Sequence, residues 1–244
     1  MNQIFQQRYE DNPFSAFSAV HFSSIFLLLL TLWLLFLFRK KLLNENRNKA
    51  ARWILAGTGF IFELSYHLWL ILNGTWNAAY TLPLELCSIS LFLCFILLFT
   101  KSRRVFEVVY FTGLAGAFFA LLTPELNYNF PHLRFLHFFV THSVIILTCF
   151  FFVCVEKYKV TFRSVLKTMG FLNAAAVIIF FINQTAGGNY MFLSRKPVNP
   201  TPLDFLGPYP WYLLSLEIVA FLSFLLLFFP FSSPKKKTSI SKSV

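Results

Sequence analysis

Cysteine and histidine inside apolar stretches are the residue types in this chain suited to covalent chemistry. Cys87 lies in "TLPLELCSIS", two residues after Glu85, and His142 lies in "VTHS". A cysteine accepts an acyl group as its thiolate, and an imidazole within reach removes the thiol proton. Other ionisable residues sit at similar positions in apolar runs: Glu63, His67, His137 and Glu217. In lipid each must be paired, solvated or neutralised, which makes each a candidate for a polar pocket. Glu63 and His67, four residues apart, share a helix face and are able to satisfy one another. His137 and His142 diverge by ~140° on a helix turning ~100° per residue, so they cannot hold one ion from a single face. His142 shares its face with Ile145, Ile146 and Cys149, an apolar setting that directs the imidazole into a bundle, with Cys87 as a candidate partner. Cys94 lies two turns below Cys87 on the same face. Glu85 faces ~160° away from Cys87, which suits a contact with a neighbouring helix or the helix end.

The elements that must position these residues are membrane spans. The 244-residue chain is 57% hydrophobic and 13% charged, and its 34 phenylalanines fall in long apolar runs. A water-soluble domain of this length needs more polar surface. A helical span takes about 20 apolar residues. Seven stretches qualify, at 16–38, 52–72, 81–99, 105–123, 133–155, 165–184 and 209–231. The expected fold is an all-α bundle of seven transmembrane helices in one domain, 1–231, followed by a basic disordered tail, 232–244. Pro83 is expected in the first turn of the third span, where its missing N–H is harmless.

The net charge of +11 lies in short runs between apolar segments, so it speaks for topology and not for nucleic acid. Sixteen of the 21 Lys and Arg residues fall in the connections after spans one, three and five and in the tail; four fall on the other side. The N-terminus is then outside and the C-terminus cytoplasmic. With that orientation most membrane-depth polar residues share the outer half, as around a cavity open to the outer leaflet. His21 and His132, nearer the interface, suit structural roles. No cleavable signal peptide is evident, and at least three of the four cysteines suit buried small hydrophobes.

The outer connection 185–208, "TAGGNYMFLSRKPVNPTPLDFLGP", is expected to be an interfacial anchor or a cap, with Arg195 and Lys196 meeting lipid phosphates. Neither a Walker A loop nor GxGxxG is present, and no cofactor or metal is expected. Three functions remain open: acyl transfer through Cys87 and His142; transport of a small solute or ion through a polar cavity that includes Glu63, His67, Glu85 and Glu217; and zinc-dependent lipid hydrolysis with His21, His67 and His142 as ligands. The transporter lacks an internal duplication, and the hydrolase lacks a compact ligand motif.

The segments "PFSAFSAVHF", "LPLELCSISLFL", "FEVVYFTGLAGAFFALLTPEL", "FPHLRFLHFFVTHS" and "LDFLGPYPWYLLSLE" resemble the YwaF-like integral membrane proteins of Bacillus-type bacteria over essentially the whole chain. More distantly they are similar to the eukaryotic transmembrane protein 164 family of acyltransferases, which act on ether phospholipids. The resemblance implies a multi-pass protein of the bacterial cytoplasmic membrane with membrane phospholipids as partners. It also implies a cysteine nucleophile at Cys87 and a histidine at His142. The chain departs from the eukaryotic pattern after the cysteine, where Ser88 stands in place of a histidine. It also carries Glu85 where bacterial relatives carry histidine.

Overall fold

A computed structural model describes residues 4–5, 13–196 and 202–232. The expected basic tail beyond Ser232 and the proline-rich stretch 197–201 lie outside the described residues. Among the described residues there are seven α-helices and no strand, only an isolated bridge between Pro13 and Tyr128. The helices are α1 (Ala19–Phe38), α2 (Glu45–Leu72), α3 (Leu86–Thr100), α4 (Arg103–Leu122), α5 (Leu133–Cys154), α6 (Phe162–Ala186) and α7 (Trp211–Phe228). Six are long and apolar enough to cross a membrane, and α3 is a shorter apolar helix of 15 residues. The molecule is a multi-pass membrane protein.

Local chemistry sets the helix ends. Ser18, Asn44 and Ser102 each accept a backbone N–H as N-caps, which satisfies donors that the first turn leaves open. Thr161 and Ser164 form a reciprocal capping box at α6, and Gly187 closes that helix in the left-handed conformation. The third helix begins later than the sequence suggests. Pro83 lies before it in non-helical chain, and Glu85 occupies the N-cap position in extended conformation. Proline disfavours helix in the residue that precedes it, so a helix does not extend back through Leu82. The second helix instead starts earlier than expected, because the Asn44 cap carries it into the basic connection.

The central helix is α5, which packs against α1, α2, α3 and α4. α4 joins α5 and α3 to α6 and α7. The main core runs along these contacts and includes Leu91, Cys94, Phe106, Phe111, Ile145, Cys149 and Phe152, each nearly or fully buried. α1 and α7 stand at the edges and turn much of their apolar surface outward, as lipid-facing helices do. Cys94 and Cys149 are buried, Cys87 and Cys154 half-buried, and all four are free thiols.

Candidate functional site

Four ionisable residues of α2 and α5, Glu63, His67, Arg134 and His137, form a network. His137 Nε2 lies 2.8 Å from Glu63 Oε2, and His67 Nε2 lies 3.4 Å from Glu63 Oε1. Arg134 Nη1 lies 3.0 Å from His137 Nδ1. A guanidinium only donates, so Nδ1 of His137 is the acceptor and Nε2–H is the donor to Glu63. His137 therefore links a cation to an anion as a neutral ring. Tyr66 stacks on it with centroids 4.4 Å apart, and the Arg134 guanidinium lies 4.8 Å from the Tyr66 ring centroid. Glu63 and His137 are both buried. The expected Glu63–His67 pairing is present but is only one arm of this network. Arg134 and Tyr66 are members that sequence reasoning did not single out. Arg134 was legible, because it precedes His137 by three residues and so shares its face.

Cys87 packs against α4, which in turn packs against α5, the helix that carries His142. A Cβ on Gly116 would lie 3.2 Å from Cys87 Sγ, and a Cβ on Gly113 would lie 2.8 Å from Ile145 Cγ2. α4 and α5 run antiparallel, and Cys149 one turn on contacts the Val109 carbonyl. The small residues of α4 permit this close approach. His142 is buried, with Nδ1 2.7 Å from the Phe138 carbonyl. A carbonyl only accepts, so Nδ1 carries the proton and Nε2 carries the lone pair. Among the described residues neither that Nε2 nor the Cys87 thiol makes a hydrogen bond. One turn below Cys87, Ser90 donates to Thr112 at 3.1 Å and closes the polar groups there.

A folded segment of the connection between α6 and α7 sits over the start of α3. The Met191 N–H donates to Glu85 Oε2 at 3.0 Å. Tyr190 N–H donates to Asn183 Oδ1 at 2.8 Å, and Asn183 Nδ2 returns a bond to Tyr190 O at 3.0 Å. The Tyr190 hydroxyl accepts from Leu82 N–H at 2.8 Å and donates to Ala78 O at 2.7 Å. Burial pushes the Tyr190 phenol above its ordinary range, which keeps that donor protonated. The Tyr212 hydroxyl, on a fully buried side chain, donates to Phe192 O. Met191 and Phe192 both adopt positive φ, 54° and 53°, a conformation that non-glycine residues hold only when surrounding bonds enforce it. Met191 packs against the same core as Cys87. The segment is thus a pinned cap more than a loose interfacial anchor.

The remaining candidates lie apart. Glu217 Oε1 accepts from Asn173 Nδ2 at 2.5 Å, on the seam of α6 and α7, away from the α2–α5 network. Glu85 joins the cap and not that network. His21 is buried, with Nε2 donating to Leu121 O at 2.8 Å and Nδ1 accepting Phe17 N–H at 3.0 Å, so both ring nitrogens are occupied. Among the described residues no three of His, Cys, Asp and Glu come together in a metal-holding group. Lys196 Nζ lies 3.4 Å from Asp204 O and 5.6 Å from the Tyr212 ring centroid, while Arg195 is exposed. An apolar cavity of about 710 Å³ runs between α1, α2 and α5, past Ser23, Thr58 and Ser143.

Comparison with known proteins adds lineage to this geometry. A family model described as the TMEM164 family matches residues 16–228. An uncharacterized protein of Treponema pallidum (strain Nichols) is 29% identical over 227 residues, covering 89% of this chain and 90% of its own length. No solved structure matches.

Proposed function

The chain belongs to the TMEM164 family, and from that premise we propose that it is a membrane acyltransferase that moves fatty acyl groups between phospholipids through Cys87 and His142. The observation that carries this is the tautomer of His142. Its Nδ1–H is held by the Phe138 carbonyl, which leaves Nε2 as a base, and Cys87 carries a free thiol. Nε2 takes the Cys87 proton, and the thiolate attacks the ester carbonyl of a donor lipid. The C–O bond breaks, and the departing lysolipid oxygen takes the proton from the imidazolium. The thioester is then attacked by the hydroxyl of an acceptor lysolipid, deprotonated by the same Nε2, and the thiolate leaves. Enclosure of the intermediate in the bundle limits its loss to water.

The same reading gives the surroundings. α3 spans ~22 Å at 1.5 Å per residue, less than a hydrocarbon core of about 30 Å. Residues 81–85 complete the seventh crossing as non-helical chain, which is tolerated where protein buries it; Thr81 is 5% exposed. The N-terminus is outside and the C-terminus in the cytoplasm of a bacterial cell, within one domain of residues 1–231, on a YwaF-like branch of the family. Arg195, on the outer side, meets lipid phosphate, and phospholipids are the partners. Exchange of a labelled acyl chain between phospholipids in proteoliposomes tests the proposal. Activity should be present in wild type and absent in Cys87→Ala and His142→Ala, and wild-type exchange in either variant would overturn it.

A further inference from the structure

At the end of the bundle that carries the Lys- and Arg-rich connections, a cavity of about 350 Å³ opens between the first turns of α2 and the C-terminal ends of α3 and α5. Three cations line it: Lys49, Arg52 and Lys101. Asn48, which is buried, donates through Nδ2 to Glu156 Oε1 at 2.7 Å. Lys101 Nζ donates to the same oxygen at 2.8 Å. Arg52 Nε donates to Asn48 Oδ1 at 3.1 Å, and its Nη1 donates to Leu98 O. These bonds orient Arg52 and Lys101 without saturating them. Among the described residues Arg52 Nη2 has no hydrogen-bond partner, and Lys49 makes neither a hydrogen bond nor an ion pair. Glu156 is balanced by Lys101, so Lys49 and Arg52 stand against Glu45 alone and one positive charge is left over.

The backbone supplies an independent observation. Lys101 caps the C-terminus of α3 with φ 51° and ψ 30°, the left-handed region where glycine is free of steric cost. Its N–H closes on Leu97 O at 2.8 Å, a bond that glycine makes as well. What lysine adds is the ammonium on the cavity wall, paired on one side with Glu156. The Tyr158 hydroxyl donates to Lys101 O at 2.6 Å, and Arg103 lies 4.5 Å from the Tyr158 ring centroid, which holds the strained turn in place.

We propose that this cavity binds a phosphate-bearing anion, with Lys49, Arg52 and Lys101 as donors. A guanidinium and two ammonium groups at one concavity match the oxygens of a phosphate. The volume lies at the lower end of small-molecule sites, roughly 300–1,000 Å³, and suits a headgroup-sized ligand. A phospholipid headgroup of the adjoining leaflet and free phosphate share this chemistry. The site is separate from Cys87 and His142 and stands whether or not they transfer acyl groups.

Isothermal titration of the detergent-purified full chain tests it, with inorganic phosphate, a short-chain phosphatidic acid and a short-chain phosphatidylcholine as probes. Saturable binding of phosphatidic acid is expected, weakened roughly tenfold in Lys49→Gln and in Lys101→Gly, the loss from one charged hydrogen bond. Lys101→Gly keeps the cap bond and relieves its strain while Glu156 retains the Asn48 amide, and Lys49 has no partner to lose, so both variants should fold. Glu45→Gln should tighten binding by removing a like charge. Binding of phosphatidic acid alone identifies a lipid headgroup, and equal binding of inorganic phosphate identifies the free ion. No saturable binding by either, or affinities unchanged in both lysine variants, would overturn the proposal and leave the cluster as a clasp between helices.

Discussion

His142 is committed to one tautomer by its own helix. The Phe138 carbonyl, one turn back, takes the Nδ1 proton at 2.7 Å and leaves Nε2 as the basic nitrogen. His137 is committed to the other tautomer by Arg134, and its Nε2–H serves Glu63. Two histidines five residues apart thus have opposite proton placements and opposite surroundings. The sequence made their divergence legible through helical angle alone. It did not reveal the tautomers, because those depend on which carbonyl or cation the fold sets beside each ring. The network around His137 makes a stability prediction. Glu63→Ala leaves the buried His137 Nε2–H without its acceptor and Arg134 without a nearby counter-charge, and should cost about 1–3 kcal/mol, the scale for an unsatisfied buried donor. The double variant Glu63→Ala/His137→Ala should lose less than the two single losses combined, by about 1–2 kcal/mol, since membrane-embedded polar pairs couple on that scale. Denaturant unfolding in mixed micelles measures both, and strictly additive losses would show the groups to be independent.

Among the elements, α3 and α4 do the positioning. The apolar runs predicted all seven helices, but the start of α3 was not legible as a helix end. Pro83 fits a first turn as well as an extended lead-in, and the contacts of Leu82 with Tyr190 and of Glu85 with Met191, more than 100 residues on, hold the second. The cap formed by residues 190–192 was hidden for the same reason: its bonds to Glu85, Asn183 and Tyr212 are long-range or local to a turn with no periodicity. Glu85→Ala should remove the acceptor of the Met191 N–H and loosen this cap. Amide hydrogen exchange should rise at residues 187–196 and stay unchanged in α4 and α5; protection equal to wild type would deny Glu85 that role. The helix glycines give a second contrast. A methyl at Gly113 meets Ile145 Cγ2 at 2.8 Å, whereas at Gly57 it meets nothing within 4 Å. Gly113→Ala should destabilise by about 1–3 kcal/mol through overpacking. Gly57→Ala should be neutral or stabilising by up to about 1 kcal/mol. Thermal unfolding of the two variants in one detergent separates them, and equal shifts would mean that α4 and α5 are less closely packed there.

The whole molecule is a helical membrane bundle whose two ends differ in charge, and that asymmetry was the most legible feature of the sequence. Even Lys167, which interrupts the apolar run of α6, has a local explanation: it pairs with Glu107 of α4 at 2.8 Å. Reporter fusions after residue 46 should read cytoplasmic and fusions near residue 199 external; the opposite pattern would invert the proposed orientation. What composition and spacing did not reveal was the division of the polar residues. Glu63, His67 and His137 form one network, Glu85 joins the cap, and Glu217 pairs with Asn173 on the α6–α7 seam. Shared depth along separate helices does not fix which faces meet. Acyl transfer requires one meeting of faces, Cys87 with His142, beside the small residues of α4. The most direct test is to incubate the purified protein with a phospholipid carrying an alkynyl acyl chain and locate the thioester by peptide mass spectrometry. The label should fall on Cys87, vanish on hydroxylamine treatment, spare Cys94 two turns below, and be lost in His142→Ala. Equal labelling of Cys94, or full labelling of Cys87 without His142, would contradict it.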